Sequence, residues 1–216
     1  MSPSVRAEFK EAVVLVLDDV LGELGLVRRQ KKIGAECSYK VAGSKKKKGQ
    51  ALRQDVLVFI YHYIHCNYGL RFKKAEKIRK SVLEEDTDVY TVLNHLVDET
   101  GNMWNWYLYK YDSAEVLARD IAFEIQETAL PFLDKYNSIE AVADGLINKS
   151  PELYAASIVP ELFCETALCV CAEAYGPTDK FDNAASVVID NAKSDGANEK
   201  EVARLWTFYK NVLKVL

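Results

Sequence analysis

The stretch that most restricts how this chain folds is an apolar run of β-branched and aromatic residues at 55–66, DVLVFIYHYIHC. Such residues favour strands because their side chains pack well on a pleated, half-buried surface, so the run predicts a β-strand. ECSYKV at 36–41 predicts a shorter strand, and NMWNWYLYKYD at 102–112 alternates well enough for another. Four lysines stand between Gly43 and Gly49, a composition typical of a solvated loop.

Successive side chains of a strand point to opposite faces, which divides the 55–66 run into two sets. One face is apolar apart from a histidine and carries Val56, Val58, Ile60, His62 and Ile64. The other is aromatic and carries Phe59, Tyr61, Tyr63 and His65. If the apolar face lies against the core, the aromatic face is either covered by helices or open to a partner.

Two histidines and a cysteine within ten residues raise the question of a metal site. Cys66 shares the His62 face, but four residues along a strand separate the two by roughly 13 Å, and His65 points the other way. We therefore predict no metal site, and the sequence offers no cofactor motif. Three further cysteines are predicted to be small buried hydrophobic residues of a helix: Cys164, Cys169 and Cys171.

Helical periodicity dominates outside this β region. Apolar residues at helical spacing predict a first helix that ends at Gly25, a residue suited to the cap. Residues 70–82 fit either a returning strand or a helix. Beyond residue 112, capping signals predict a series of helices, the last opened by Asn198 with Glu201 in a capping box.

These elements predict an α+β fold. An antiparallel sheet of about four strands packed with helices would form a domain over residues 1–149. Residues 150–216 would form a helical C-terminal extension packed on that domain. No window of about 18 apolar residues suggests a membrane span, and the N-terminus lacks the pattern of a secretory signal. We therefore expect a cytoplasmic protein with no membrane partner.

The charge of the chain is unevenly distributed. Residues 1–80 contain 18 Lys and Arg against 8 Asp and Glu, a charge of +10, and residues 81–216 contain 10 against 24, a charge of −14. A basic half favours an anionic partner and an acidic half a basic one. Mutual neutralisation of the halves, or simple solvation, would explain the same split.

Lysine and arginine are interleaved with aromatic residues in the basic half. This mixture is what a single-stranded nucleic-acid surface needs, because the charges contact phosphates and the rings stack on bases. Candidate residues for binding a partner or a nucleic acid are Lys45, Lys46, Lys47, Lys48, Tyr61, Tyr63, His65, Arg71 and Lys73.

The order of these signals resembles an uncharacterised bacterial family, the domain of unknown function 4304. The similarity lies in a basic turn after the first helix and in the end of a later helix. It covers roughly residues 5–148. The matching residues are Gly25, Leu26, Arg28, Arg29, Leu130 to Asp134, Tyr136 and Ser138. The lysine loop and the residues beyond 150 depart from the pattern. The resemblance carries over no catalytic residues, and it implies an immunity-like or partner-binding protein of a bacterial toxin locus.

The sequence also lacks recognisable catalytic motifs: no phosphate-binding glycine loop, nucleophile elbow or zinc-protease motif occurs. We therefore expect a protein–protein interaction module without catalytic activity. Its concrete form would be an immunity-like protein that neutralises a toxin by occluding its active site. Nucleic-acid binding by the basic half is the alternative, and an enzyme with an unrecognised site is a third.

Overall fold

A computed structural model describes residues 3–30, 35–42, 52–84, 92–155 and 163–216 of the chain. In these ranges the strands are β1 (Leu26–Arg28), β2 (Glu36–Val41), β3 (Leu52–Ile60), β4 (Tyr63–Phe72), β5 (Val92–His95) and β6 (Trp106–Tyr107). The helices are α1 (Pro3–Glu23), α2 (Lys73–Leu83), α3 (Ala114–Glu124), α4 (Leu130–Lys135), α5 (Ile139–Ile147), α6 (Pro151–Ala155), α7 (Phe163–Tyr175), α8 (Asp179–Ser194) and α9 (Glu199–Val215).

The six strands form one sheet in the order β1-β2-β3-β4-β5, and β6 pairs with β4. The pairs β1–β2, β2–β3 and β4–β6 are antiparallel. The predicted α+β class with an antiparallel sheet and C-terminal helices is confirmed. The sheet has six described strands rather than about four, because the residues of β1 and β5 show no clear strand pattern.

The prediction of one continuous strand over 55–66 is wrong. The run is broken after Ile60, and the chain reverses through Tyr61 and His62 before β4 starts at Tyr63. The Tyr61 amide donates a hydrogen bond to the Tyr63 carbonyl oxygen at 2.9 Å, which closes this tight turn. Composition could not reveal the turn, because it contains none of the glycine, proline or asparagine residues that usually mark one.

Two other sequence-based expectations concern strand and helix boundaries. The predicted strand over 102–112 shrinks to Trp106–Tyr107, followed by a 3₁₀ turn at Leu108–Lys110. The alternatives for 70–82 are both partly realised, since β4 continues to Phe72 and α2 begins at Lys73. Gly25 has φ 78°, in the left-handed region that glycine tolerates best, as expected for the residue after a helix.

The chain divides into two compact units. The described residues of the first unit fall within Met1–Lys45, Gln54–Gly69 and Asn94–Lys135, and those of the second within Lys46–Arg53, Leu70–Leu93 and Tyr136–Leu216. The second unit therefore draws residues from both sides of the boundary predicted at residue 149.

In the first unit, α1 packs against α3. The buried stripe of α1 follows the helical period, as the sequence predicted. It consists of Val13, Val14, Leu17 and Leu21, all fully buried. The hydroxyl of buried Tyr39 on β2 donates a hydrogen bond to Asp18 of α1 at 3.0 Å, so the polar end of this core side chain is satisfied.

In the second unit, α7 is the central helix. It packs against α2, α5, α8 and α9, and an unbroken run from Glu165 to Ala172 along it is buried. A helix that is apolar on nearly all sides is expected in such an enclosed position. Cys169 and Cys171 are buried free cysteines, as predicted, whereas Cys164 at the start of α7 is half-buried.

The last helix begins with the predicted capping box. The Asn198 side chain accepts hydrogen bonds from the Lys200 and Glu201 amides, and the Glu201 carboxylate accepts one from the Asn198 amide. No helix in the described ranges combines the length and the apolar character that crossing a membrane requires.

Candidate functional site

The first candidate site is a set of aromatic rings on the first unit. It consists of Phe59, Tyr61, Tyr63, His65, Tyr107 and Tyr109, which we call the aromatic cluster. β3, the turn after it and β4 supply the first four, and the pairing of Tyr63 with Tyr107 in the β4–β6 register brings in the last two. The structure thus joins Tyr61, Tyr63 and His65, which the sequence predicted as binding residues.

Ring-to-ring distances show that the aromatic cluster is continuous. Phe59 and His65 are stacked with centroids 4.7 Å apart and planes inclined by 10°. Tyr63 lies 5.7 Å from His65 and 5.9 Å from Tyr107, and Tyr107 lies 5.6 Å from Tyr109. These separations are those of favourable aromatic pairs, so the rings support one another.

The aromatic cluster is open to solvent. Tyr109 is 74% exposed, Tyr61 45% and Tyr107 38%, while Phe59 is half-buried. The sequence does not decide whether helices cover the aromatic face. In the structure, three of the six rings of the aromatic cluster are exposed. Tyr107 and Tyr109 were not singled out as site residues, although their alternation in 102–112 placed them on one face.

His65 is the one imidazole ring of the aromatic cluster. Its Nδ1 atom is buried and has no hydrogen-bond partner among the described residues. Burial, and secondarily the nearby His95, lower the pKa of His65 below the usual value of 6.5. The ring is therefore neutral at pH 7, and the aromatic cluster carries no positive charge from it.

His62 does not take the position predicted for it. The turn after Ile60 removes it from the apolar face, and it is exposed and lies 3.2 Å from the Arg6 guanidinium. In the described part of the chain, no group of three or more His, Cys, Asp or Glu side chains is arranged to hold a metal ion.

The second candidate site is a cleft of about 400 Å³ in the second unit, which we call the basic cleft. Its described lining residues are Arg53, Arg71, Lys73, Glu76, Lys77 and Lys80. The structure thus brings together the predicted residues Arg71 and Lys73. Arg53 was missed, because its place beside them depends on the chain reversal between β3 and β4, which the sequence did not predict. The predicted residues Lys45 to Lys48 lie outside the described ranges.

An ion pair orders one wall of the basic cleft. Nε of Arg71 lies 3.1 and 2.9 Å from the two carboxylate oxygens of Glu76. Both side chains are mostly buried, with 17% of Arg71 and 9% of Glu76 exposed. The Arg71 guanidinium is therefore held in one orientation rather than free to move in solvent.

A third cavity, of about 240 Å³, lies among the helices of the second unit. Its polar lining groups serve structural contacts: Lys149 Nζ lies 2.6 Å from Asp195, and Glu201 forms the α9 cap. Burial, and next the charge of Asp195, raise the pKa of the Cys164 thiol. A protonated thiol is a poor nucleophile, so the described lining does not form a catalytic pair.

Comparison of the chain with sequence models of known protein families, with curated proteins and with solved structures finds no match. The resemblance to the domain of unknown function 4304 therefore stays a prediction that rests on the residues quoted for it.

Proposed function

We propose that this protein is a protein-binding module that contacts its partner through the aromatic cluster. The observation that carries the proposal is the continuity of exposed Tyr61, Tyr107 and Tyr109 with the rings beneath them. Tyrosine is enriched in protein interfaces, and especially at positions that dominate binding energy, because it buries a large area while losing few rotamers. Contiguous exposed apolar surface is typical of interaction sites, which supports the proposal.

The surroundings of the aromatic cluster favour a protein over a nucleic acid. Nucleic acids need several cations around the rings, but among the described residues only Lys110 contacts a ring of the aromatic cluster, with Nζ 5.3 Å from the Tyr107 centroid. Glu36 pairs with Phe59 across β2 and β3, and its negative charge would repel phosphates. Nucleic-acid binding nevertheless stays the alternative function, because the basic cleft supplies cations to the chain.

The concrete form that we propose is an immunity-like protein that occludes the active site of a toxin. Its support is the sequence resemblance together with the acidic character of residues 81–216, which would attract a basic enzyme. Electrostatic attraction of this kind raises the rate of association more than it deepens the affinity. The aromatic cluster would then supply the contacts that slow dissociation.

The proposal is tested with a triple variant that removes the exposed rings, Tyr61→Ser, Tyr107→Ser and Tyr109→Ser. Phe123→Ser is the matched control, because Phe123 is 59% exposed on α3 in the same unit and is not part of the aromatic cluster. Immobilised wild type and control should retain the same partner from an extract, and the triple variant should lose it. With the purified partner, the triple variant should raise Kd by at least about 100-fold.

Equal retention of the partner by the triple variant and the wild type would refute the role of the aromatic cluster. A parallel titration with a single-stranded oligonucleotide tests the alternative, because phosphate contacts make affinity fall steeply with salt. Absence of oligonucleotide binding at about 50 mM salt would rule out the nucleic-acid alternative.

A further inference from the structure

We propose that the basic cleft of the second unit binds a compact ligand that carries two or more phosphate groups. This site consists of residues other than those of the aromatic cluster. Its cations come from three elements: Arg53 from the start of β3, Arg71 from the end of β4, and three lysines from α2.

The lysines of α2 face the basic cleft as a group. Lys73, Lys77 and Lys80 are spaced by four and three residues, which places them next to one another on one face of the helix. Like charges at this spacing repel one another on an isolated helix. An anion bound beside exposed Lys73 and Lys77 would reduce this repulsion.

The charge of the lining defines the class of ligand. The six described lining residues comprise five cations and one carboxylate, a net charge of +4. Arg71, Lys73 and Lys77 line the cleft from adjoining parts of β4 and α2. A diphosphate or triphosphate group can contact several cations placed in this way, since each phosphate offers several acceptor oxygens to lysine and arginine donors.

The geometry of Arg71 makes one part of the basic cleft preorganised. Its ion pair with buried Glu76 fixes the guanidinium before a ligand arrives, so less conformational entropy is lost on binding. Arginine held in this way suits the recognition of phosphate oxygens. Lys73 and Lys77, whose side chains are exposed, add further positive charge to the cleft.

The size and composition of the cleft favour a compact phosphate group over a nucleic-acid strand. A volume of about 400 Å³ lies in the range of small-molecule sites. Recognition of single-stranded nucleic acid depends on aromatic rings that stack on bases, and the described lining residues include none. The cleft would therefore recognise the phosphates of its ligand and not a base.

The test is calorimetric titration of the full chain with pyrophosphate, triphosphate and ATP, with sulfate as the anion control. We expect the two inorganic polyphosphates and ATP to bind and sulfate to bind far more weakly. Similar affinity for triphosphate and ATP would indicate that the phosphates alone are recognised. Tighter binding of ATP would indicate a nucleotide as the source of the phosphates.

Two substitutions on the same helix separate a defined site from diffuse attraction. Lys77→Gln removes a lining cation, whereas Lys74→Gln removes an equally exposed neighbour that is not part of the lining. Lys77→Gln should weaken triphosphate binding about tenfold, the effect of one hydrogen bond to a charged group. Lys74→Gln should weaken it less than about twofold. Circular dichroism should show unchanged folding for both variants.

Three results would overturn the proposal. Failure of pyrophosphate, triphosphate and ATP to bind at millimolar concentration would show that the cleft is not a phosphate site. Equal weakening of triphosphate binding by Lys74→Gln and Lys77→Gln would show that only the general surface charge attracts the anion. Binding of single-stranded oligonucleotides alone would replace the ligand with a nucleic acid. None of these results depends on the tyrosines of the aromatic cluster, so each is separate from a failure of the proposed protein-binding function.

Discussion

Near the turn that joins β3 and β4, the two faces of these strands differ in exposure. On one face, Val56, Val58 and Ile64 are completely buried, while on the other His65 is half-buried, and Tyr61 in the turn is 45% exposed. Both sets of side chains are large and mostly apolar, so hydrophobicity does not distinguish them. The comparison teaches that strand alternation separates the faces, whereas the packing of the helices decides which face becomes the core.

Shortening one buried side chain of β4 and one exposed side chain of the aromatic cluster tests this difference in exposure. Ile64→Ala removes a fully buried side chain and should lower the free energy of unfolding by about 2–5 kcal/mol, from lost burial and the cavity left behind. Tyr109→Ala removes a side chain that is 74% exposed and should change it by less than about 0.5 kcal/mol. Denaturant unfolding followed by circular dichroism measures both, and similar losses would contradict the assignment of the faces.

Two helical glycines differ in how much space surrounds them, which extends the comparison of packed and open positions to the helices. A Cβ atom at Gly145 in α5 would lie 2.6 Å from Leu153 Cδ1 and 3.0 Å from Tyr136 Cε1. Leu153 is fully buried and has little room to move, so Gly145→Ala should destabilise the protein by about 1–2 kcal/mol.

Gly22→Ala in α1 is the matched control for that substitution. Apart from the adjoining residues and the backbone of α1 itself, no atom of the described residues lies within 4 Å of a Cβ at Gly22. Alanine is also the better helix former, so stability should rise by up to about 1 kcal/mol. The shift in the midpoint of thermal unfolding shows whether each variant is more or less stable than the wild type. A stabilising Gly145→Ala would mean that α5 does not approach Tyr136 as closely as described.

The smallest expected effect is the contribution of His65 to the pH dependence of the free energy of unfolding. Because its pKa in the folded protein is below the usual 6.5, the unfolded chain binds its proton more readily. The stability due to neutral His65 is therefore present above about pH 6.5 and is lost as the pH falls through the lowered folded pKa.

His65→Phe keeps a ring against Phe59 and should flatten the fall in stability between about pH 7 and pH 5. The His62→Gln variant, in the exposed turn, should retain the fall seen in wild type. Chemical unfolding at several pH values measures these differences. An unchanged profile for His65→Phe would show that burial of His65 does not contribute to the pH dependence.

Local sequence patterns predicted several parts of the fold correctly. The stripe of α1, the cap at Gly25 and the capping box of Asn198 and Glu201 follow from residues close in sequence. The reversal through Tyr61 and His62 was not predicted, because neither residue has the backbone freedom or side-chain bonding that marks a turn. It arises from the pairing of two strands that each bury one face.

The candidate sites were predicted only in part, for the same reason. Tyr61, Tyr63 and His65 belong to one surface because they are close in sequence. Tyr107 joins them through the β4–β6 register, and Arg53 lies near Arg71 because the chain reverses between β3 and β4. A single sequence carries little information on such long-range pairing, which depends on the whole set of packed elements.

The sequence by itself determined the α+β class, the helical C-terminal part and the alternation of apolar and aromatic residues near the middle of the chain. These features depend on backbone preference and periodicity, which act over a few residues. Only the tertiary structure decided that the aromatic face is open and that lysines of α2 meet Arg53 and Arg71 in one cleft. Both depend on which surfaces the helices and strands bury, a choice made by the packing of the folded chain.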